Sequence, residues 1–451
     1  MKLKTALSGK VYEFRDFRDL FAKANEEKSG DTLLGIGAGS VSERIAARIV
    51  LSEITLGEIR ANPLIEDNVT AVIEAQINES IFKEMSGWTV GELRDWLLDH
   101  HTTPEMARRA SRGLSSEMIA AVAKMMSAMD LVYAARKLRV WATCATCVGL
   151  PGTLSYRIQP NHPADDVPGI LASIAEGLSY ASGDACIGIN PVEDNVYNTT
   201  TLMEASWNVI QKWKIPTQNV VLSHVTTQME AVKGGAPACM FFQSVAGTES
   251  TNEAFGVTEQ ILDEAYELIS KYGMAKGPNL MYFETGQGSE QSLELNEGID
   301  MLTLEARTYG FARKYSPFMV NNVSGFIGPE TLYDGRQIMR ASLEDHFMGK
   351  LTGLPMGMAP CYTNHTKIEQ DDQEMATMLL TMAGANYFMG VPLGDDVMLA
   401  YQDTSYHDDV TLRELLGLTP APDFFRWSVE MGVLDENGRL TDKAGDASLF
   451  A

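Results

Sequence analysis

From about residue 150 onward, short apolar runs alternate with longer stretches whose apolar residues recur every three to four positions. The runs cover 153–158, 185–189, 219–223, 239–242, 280–283, 318–320, 355–361 and 387–391, eight in all. Runs this short, bounded by Gly, Pro, Asn or Ser, predict buried strands. The stretches 170–180, 200–213, 259–271, 298–314, 337–348 and 374–383 predict helices between them. Strand and helix alternating eight times predicts an α/β fold of the (β/α)8 TIM-barrel class. An open doubly wound sheet is the alternative, and eight strands favour closure.

Before residue 150 the period is helical throughout. Residues 42–51 and 115–129 carry apolar side chains at three-to-four spacing. The pattern divides the chain into a mainly helical N-terminal region (1–149), a barrel (150–400) and a helical or coil extension (401–451). Gly35-Ile36-Gly37-Ala38-Gly39-Ser40 has half of a dinucleotide loop. It lacks a strand–GxGxxG–helix unit with an acid about twenty residues on, and reads as a flexible turn.

The predicted strands end on polar side chains. The first runs Tyr156-Arg157-Ile158-Gln159, so Arg157 and Gln159 share a face. The next four end at Asn190-Pro191, Ser223-His224, Gln243-Ser244 and Glu284, and the sixth at Asn321-Asn322. Leu280-Met281-Tyr282-Phe283-Glu284 is apolar until it stops on a carboxylate. Burying an unpaired carboxylate costs several kcal/mol, roughly, so Glu284 is either paired or placed for chemistry. In a parallel barrel these ends converge on the face that holds active sites. A guanidinium, amides and a carboxylate together suit a small molecule bearing a hydroxyl and an amine. A purely structural polar network is the alternative.

Composition narrows the field. The 451 residues are 45% hydrophobic and 21% charged, with a formal net charge of −24. That balance argues against nucleic acid, whose phosphates need Lys and Arg, and against anionic membranes. No apolar leader opens the chain, and the most apolar long stretch, 375–393, is broken by Gly384, Asn386, Gly390 and Pro392. Five cysteines, an odd number, fit a reduced cytoplasm.

Several chemistries are missing from the sequence. The seven histidines are scattered, and the only close pair, His100-His101, lies in an acidic stretch, so no metal set is predicted. Cys144-Ala145-Thr146-Cys147 matches C-x-x-C without a second pair or a thioredoxin-like helix. Neither a G-x-S-x-G elbow nor a P-loop occurs. Polar holders without a nucleophile or metal imply that a cofactor carries the hard chemistry.

Longer motifs then become recognisable. Tyr282-Phe283-Glu284-Thr285-Gly286-Gln287-Gly288-Ser289 and Ser223-His224-Val225-Thr226-Thr227-Gln228 resemble the large subunit of ethanolamine ammonia-lyase. So do Gly325-Phe326-Ile327-Gly328-Pro329-Glu330, Cys361-Tyr362-Thr363-Asn364-His365 and Pro392-Leu393-Gly394-Asp395-Asp396. The resemblance runs nearly end to end and is strongest after residue 150. It implies an adenosylcobalamin-dependent radical lyase that converts a 2-amino alcohol to an aldehyde and ammonia. It implies that Arg157, Gln159, Asn190 and Glu284 hold the substrate, with Glu284 and Arg157 catalytic. It implies that Pro191, Gln243, Ser292 and Met398 contact the cobalamin. A small subunit is the implied partner, with large subunits paired as homodimers inside a larger hetero-oligomer. Either the open cytoplasm or a bacterial microcompartment suits such a particle.

Two positions qualify the resemblance. Glu344-Asp345-His346-Phe347-Met348-Gly349 nearly matches D-x-H-x-x-G, with Glu344 where Asp is needed, and His346 is expected to be a packing residue of a helix. Just before Cys361, where the resemblance implies an aspartate at the amine, the chain has Ala359. Losing that charge-assisted hydrogen bond costs roughly 1.5–3 kcal/mol. The substrate-binding position Ala359 therefore predicts weaker ethanolamine binding, a different amino alcohol, or an acid supplied from another loop. A non-catalytic scaffold subunit is the alternative from a different class.

Overall fold

The computed structural model describes residues 3–451. Its central sheet has eight strands. They are β1 Ser155–Ile158, β2 Cys186–Ile189, β3 Asn219–Val221, β4 Phe241–Ser244, β5 Met281–Thr285, β6 Met319–Val323, β7 Met356–Ala359 and β8 Tyr387–Gly390. Every paired neighbour is parallel, in the order β3-β2-β1-β8-β7-β6-β5-β4. Each of the eight sequence runs overlaps one strand, and β4, β5 and β6 run two or three residues beyond theirs. They read as continuous apolar runs because both faces are covered, one by the lumen and one by helices.

A helix follows each strand. They are α1 Val167–Ser179, α2 Val196–Trp213, α3 Val225–Lys233, α4 Glu259–Tyr272, α5 Met301–Ala312, α6 Gly335–Thr352, α7 Gln370–Ala383 and α8 Tyr406–Leu416. The architecture is an α/β TIM barrel. The eighth barrel helix lies beyond residue 400.

The ladder is interrupted only between β3 and β4, and side chains close that seam. Gln228 of α3 donates to the carbonyls of Ser223 and Phe242 at 2.6 and 2.8 Å, and accepts the Phe242 N–H at 3.0 Å. Asn219 accepts the Cys239 N–H at 3.1 Å. Amide side chains here satisfy backbone groups that a ladder would otherwise pair.

The N-terminal region opens with a hairpin, Lys4–Leu7 against Lys10–Glu13, and continues as short helices. Ser, Thr, Asp or Asn caps most of their N-termini, including Asp16, Ser40, Thr55, Asp67 and Ser115. The glycine-rich segment 35–40 is a turn, and Ser40 caps the helix that follows. The periodic stretch 115–129 divides into Ser116–Lys124 and Ala128–Lys137, because Ser127 caps a second start.

Buried ion pairs fasten this region to α5 and α6. Lys28 meets Glu344 at 2.8 Å and Lys124 meets Asp300 at 2.5 Å, all four side chains fully buried. Arg307 reaches Asp67 and Glu117, each at 2.7 Å. His346 lies fully buried inside α6, where burial pushes its pKa well down. Cys144 is buried with its thiol pushed up, far from a reactive thiolate.

Candidate active site at the barrel mouth

Arg157 sits on the inner face of β1, 1% exposed, with every nitrogen engaged. Nη1 donates to Glu284 at 2.9 Å and to the Tyr282 hydroxyl at 2.8 Å. Nη2 donates to Asn190 at 2.6 Å and to the Gly188 carbonyl at 3.1 Å, which Nε also reaches at 3.3 Å. The guanidinium crosses β2 at Gly188, where any Cβ would collide with Nε. Burial works against its charge, but Tyr282 and Glu284 outweigh it and hold its pKa above the usual arginine value.

Glu284 ends β5 two residues after Tyr282, so both point into the lumen. Its Oε1 accepts from Arg157, from Tyr282 at 2.5 Å and from Asn321 at 3.2 Å. The parallel register puts Asn321 beside Glu284, Gly357 beside Asn321, and Ala359 beside Val323. Ala359 is therefore the last inward residue of β7, fully buried and apolar.

A small antiparallel sheet stands at the ends of β7 and β8. Tyr362–Thr363 and Asp395–Asp396 both pair with Tyr401–Gln402. Gln159 donates to Asp396 at 2.6 Å and to the Tyr401 hydroxyl at 2.7 Å. Asn161 reaches the same Asp396 oxygen at 2.7 Å and accepts the Asn190 N–H at 2.8 Å. One continuous polar network thus links β1, β2, β5, β6 and the small sheet.

Arg157, Gln159, Asn190, Glu284 and Ala359 are brought together as expected of strand ends. Tyr282 was hidden from sequence reasoning inside an apolar run, although its spacing of two from Glu284 marks the same face. Asp396, Tyr401 and Asp403 come from a hairpin whose two-residue strands leave no periodic signal. A groove of about 760 Å³ lies elsewhere, between α1, α2 and the C-terminal turn, and holds none of these groups.

A family model described as "Ethanolamine ammonia lyase large subunit (EutB)" matches residues 12–443. The ethanolamine ammonia-lyase large subunits of Salmonella typhimurium LT2 and Escherichia coli K12 are each 51% identical over 453 residues, covering 100% of both chains. This chain belongs to the ethanolamine ammonia-lyase large-subunit family. Among solved structures, an HMG-CoA lyase from Acenitobacter baumannii aligns at 11% identity over 62% of this chain and 90% of its own, with a TM-score of 0.37.

In this ammonia-lyase family member, the residues expected at the cofactor lie at or near the mouth with different degrees of freedom. Pro191 follows Asn190 and is half-buried. Ser292 is exposed on the one-turn helix Ser289–Ser292 after β5. Met398 is half-buried, its N–H bonded to Asp396 at 3.0 Å. Gln243 is 4% exposed and engaged at the seam, accepting the Val225 N–H at 2.9 Å. Around them stand exposed apolar side chains on the loops after β2, β5, β6 and β8, among them Val192, Leu293, Phe326, Leu393 and Val397. A polar mouth with an apolar rim fits a broad, partly apolar ligand face.

Among the described residues, the only trio of metal-capable side chains close together is Asp99, His100 and His101, all exposed in the N-terminal region. Among the described residues no helix is long and apolar enough to cross a membrane.

Proposed function

We propose that this chain is the large, catalytic subunit of an adenosylcobalamin-dependent ammonia-lyase that converts ethanolamine, or a close 2-amino alcohol, to an aldehyde and ammonia. The observation that carries the proposal is the Arg157–Glu284 pair, at 2.9 Å, joined to Asn190 in the mouth of a barrel from this family. The apolar rim suits a corrin, which Pro191, Ser292 and Met398 would hold. Gln243 shapes the seam beneath.

When bound, the cofactor would supply radical chemistry for hydrogen transfer at the hydroxyl-bearing carbon. The chain's own residues hold the substrate in one orientation. Arg157 and Asn190, side by side on β1 and at the end of β2, face the hydroxyl. Glu284 accepts an N–H of the amine and is the acceptor nearest to a proton that moves as the C–N bond breaks. Gln159, anchored to Asp396 and Tyr401, fixes the opposite wall. Tyr282, Tyr387 and Met389 fill the lumen below and exclude water and stray hydrogen donors.

The family's description as a large subunit supports a small-subunit partner, which would cover the apolar rim and the cofactor. We extend the proposal to paired large subunits in a larger hetero-oligomer, in the cytoplasm or a microcompartment. The test is co-expression with the small subunit and measurement of aldehyde release with adenosylcobalamin. No turnover of any small amino alcohol, with cofactor demonstrably bound, overturns the catalytic reading.

A further inference from the structure

Glu284 is the prominent acid of the mouth, yet it is already paired. One oxygen accepts all three of its hydrogen bonds, and Arg157 balances its charge. A protonated amine entering here meets a carboxylate with little negative charge to spare. Asp396 is also committed. Its Oδ2 accepts from Gln159 and Asn161, and its Oδ1 accepts the N–H groups of Met398 and Leu399 at 3.0 and 2.7 Å.

Asp403 is different. It is 3% exposed, its Oδ1 accepts only the Thr404 N–H at 2.8 Å, and its Oδ2 is buried without any partner. A buried carboxylate oxygen without a donor is costly, and such groups are rare unless something else uses them.

The register of the small sheet shows where Asp403 stands. Tyr362 lies opposite Gln402 and Thr363 opposite Tyr401. One further step along that register sets Asp403 opposite Cys361, two residues beyond Ala359. The inward face of β7 ends on an uncharged methyl group, and the hairpin delivers a carboxylate just above it. Burial pushes the Asp403 carboxyl up, opposed by the Thr404 N–H and Arg157 and reinforced by the charges of Asp396 and Glu284, so an entering cation favours its ionised form; burial and then Asp403 push the Cys361 thiol up in turn. Asn321, which donates to Glu284, also has a buried carbonyl oxygen with no partner. Unused acceptors on the β6–β7 side of the mouth suit a ligand that brings several N–H donors on one atom.

We propose that Asp403 is the second ammonium-holding carboxylate of this site, its Oδ2 accepting an N–H of the substrate's protonated amine across from Glu284. The assignment rests on the amino-alcohol reading above and deepens it. It makes position 403 a determinant of specificity, selecting a charged amine over a neutral hydroxyl at that end of the substrate.

The test uses the full chain with its small subunit. Asp403→Asn keeps the shape and the acceptor for Thr404 N–H, and Asp403→Ser provides a second, smaller variant. Ethanolamine binding is measured by calorimetry, and kcat and KM by aldehyde release. A lost charge-assisted hydrogen bond predicts that Kd and KM rise by about tenfold or more in both variants. Loss of binding alone predicts a kcat within about threefold of the parent. Unchanged Kd and KM in a folded variant, or a loss confined to kcat and melting temperature, overturns the assignment. A parent protein that binds ethanolamine but never turns it over overturns the lyase reading and leaves the Kd comparison to decide on Asp403. A parent that neither binds nor reacts overturns both.

Discussion

At position 284 a carboxylate closes an apolar strand, and its neighbours explain how the barrel tolerates it. Arg157, Tyr282 and Asn321 all donate to one of its oxygens. Glu284→Gln keeps the shape and one acceptor but removes the charge opposite Arg157 and the acceptor for the amine. We expect kcat/KM for ethanolamine to fall by about 100-fold or more, the scale of losing one aimed polar group in an active site, with circular dichroism unchanged. Steady-state kinetics of the purified variant check this. Arg157→Ala removes the guanidinium, leaving Glu284 without its balancing cation and Asn190 without its shortest donor. Breaking a buried pair from one side costs about 3–5 kcal/mol, so the melting temperature should drop along with activity. An unaltered melting curve contradicts it. Arg157, Gln159, Asn190 and Glu284 were legible because polar residues at the ends of apolar runs stand out. Tyr282 was not, since a tyrosine in such a run reads as core.

At the scale of elements, all eight strand runs were legible, because a strand covered on both faces must be apolar along its length. Two barrel helices were not. In α3, Val-Thr-Thr-Gln offers little helical signal, and α8 begins with Tyr-His-Asp-Asp. Each is held by tertiary context, α3 through Gln228 at the β3–β4 seam. Gln228→Ala removes two donated bonds and one accepted bond from backbone groups that are buried. An unsatisfied buried group costs about 1–3 kcal/mol, so the variant should melt lower. Its Phe242 amide should exchange hydrogen faster than in the parent. Equal exchange rates mean that the seam closes without Gln228.

At the scale of the whole molecule, charges buried between the N-terminal helices and the barrel decide how the two parts respond to acid. Burial alone would raise the Glu344 carboxyl, but Lys28 and Arg340 outweigh it and bring it down from 4.5 to about 2. Its folded pKa lies below its unfolded one, so its stabilising contribution is complete above pH 4.5 and is lost as pH falls towards 2. Lys28→Met leaves Glu344 with Arg340 alone. We expect a loss of about 3–5 kcal/mol at neutral pH, and an acid-induced decline that begins at higher pH. Thermal melts from pH 3 to 7 on parent and variant check both. Parallel curves show that Lys28 does not set the acid limb.

The sequence by itself determined the barrel, the helical N-terminal region and four polar residues of the mouth. Strand burial, helix period and strand-end polarity are local signals that survive without coordinates. Tertiary structure alone decided which acids are spent and which are free. Asp396 and Asp403 lie seven residues apart on one hairpin, yet the first has every oxygen satisfied and the second has one with no partner. That difference depends on Gln159 and Asn161 reaching Asp396 from 235 or more residues away. It also depends on a two-residue ladder whose continuation by one step sets Asp403 opposite Cys361, two residues beyond Ala359. Hydrogen bonds between distant segments leave no periodic trace along a chain, so only the fold reveals them.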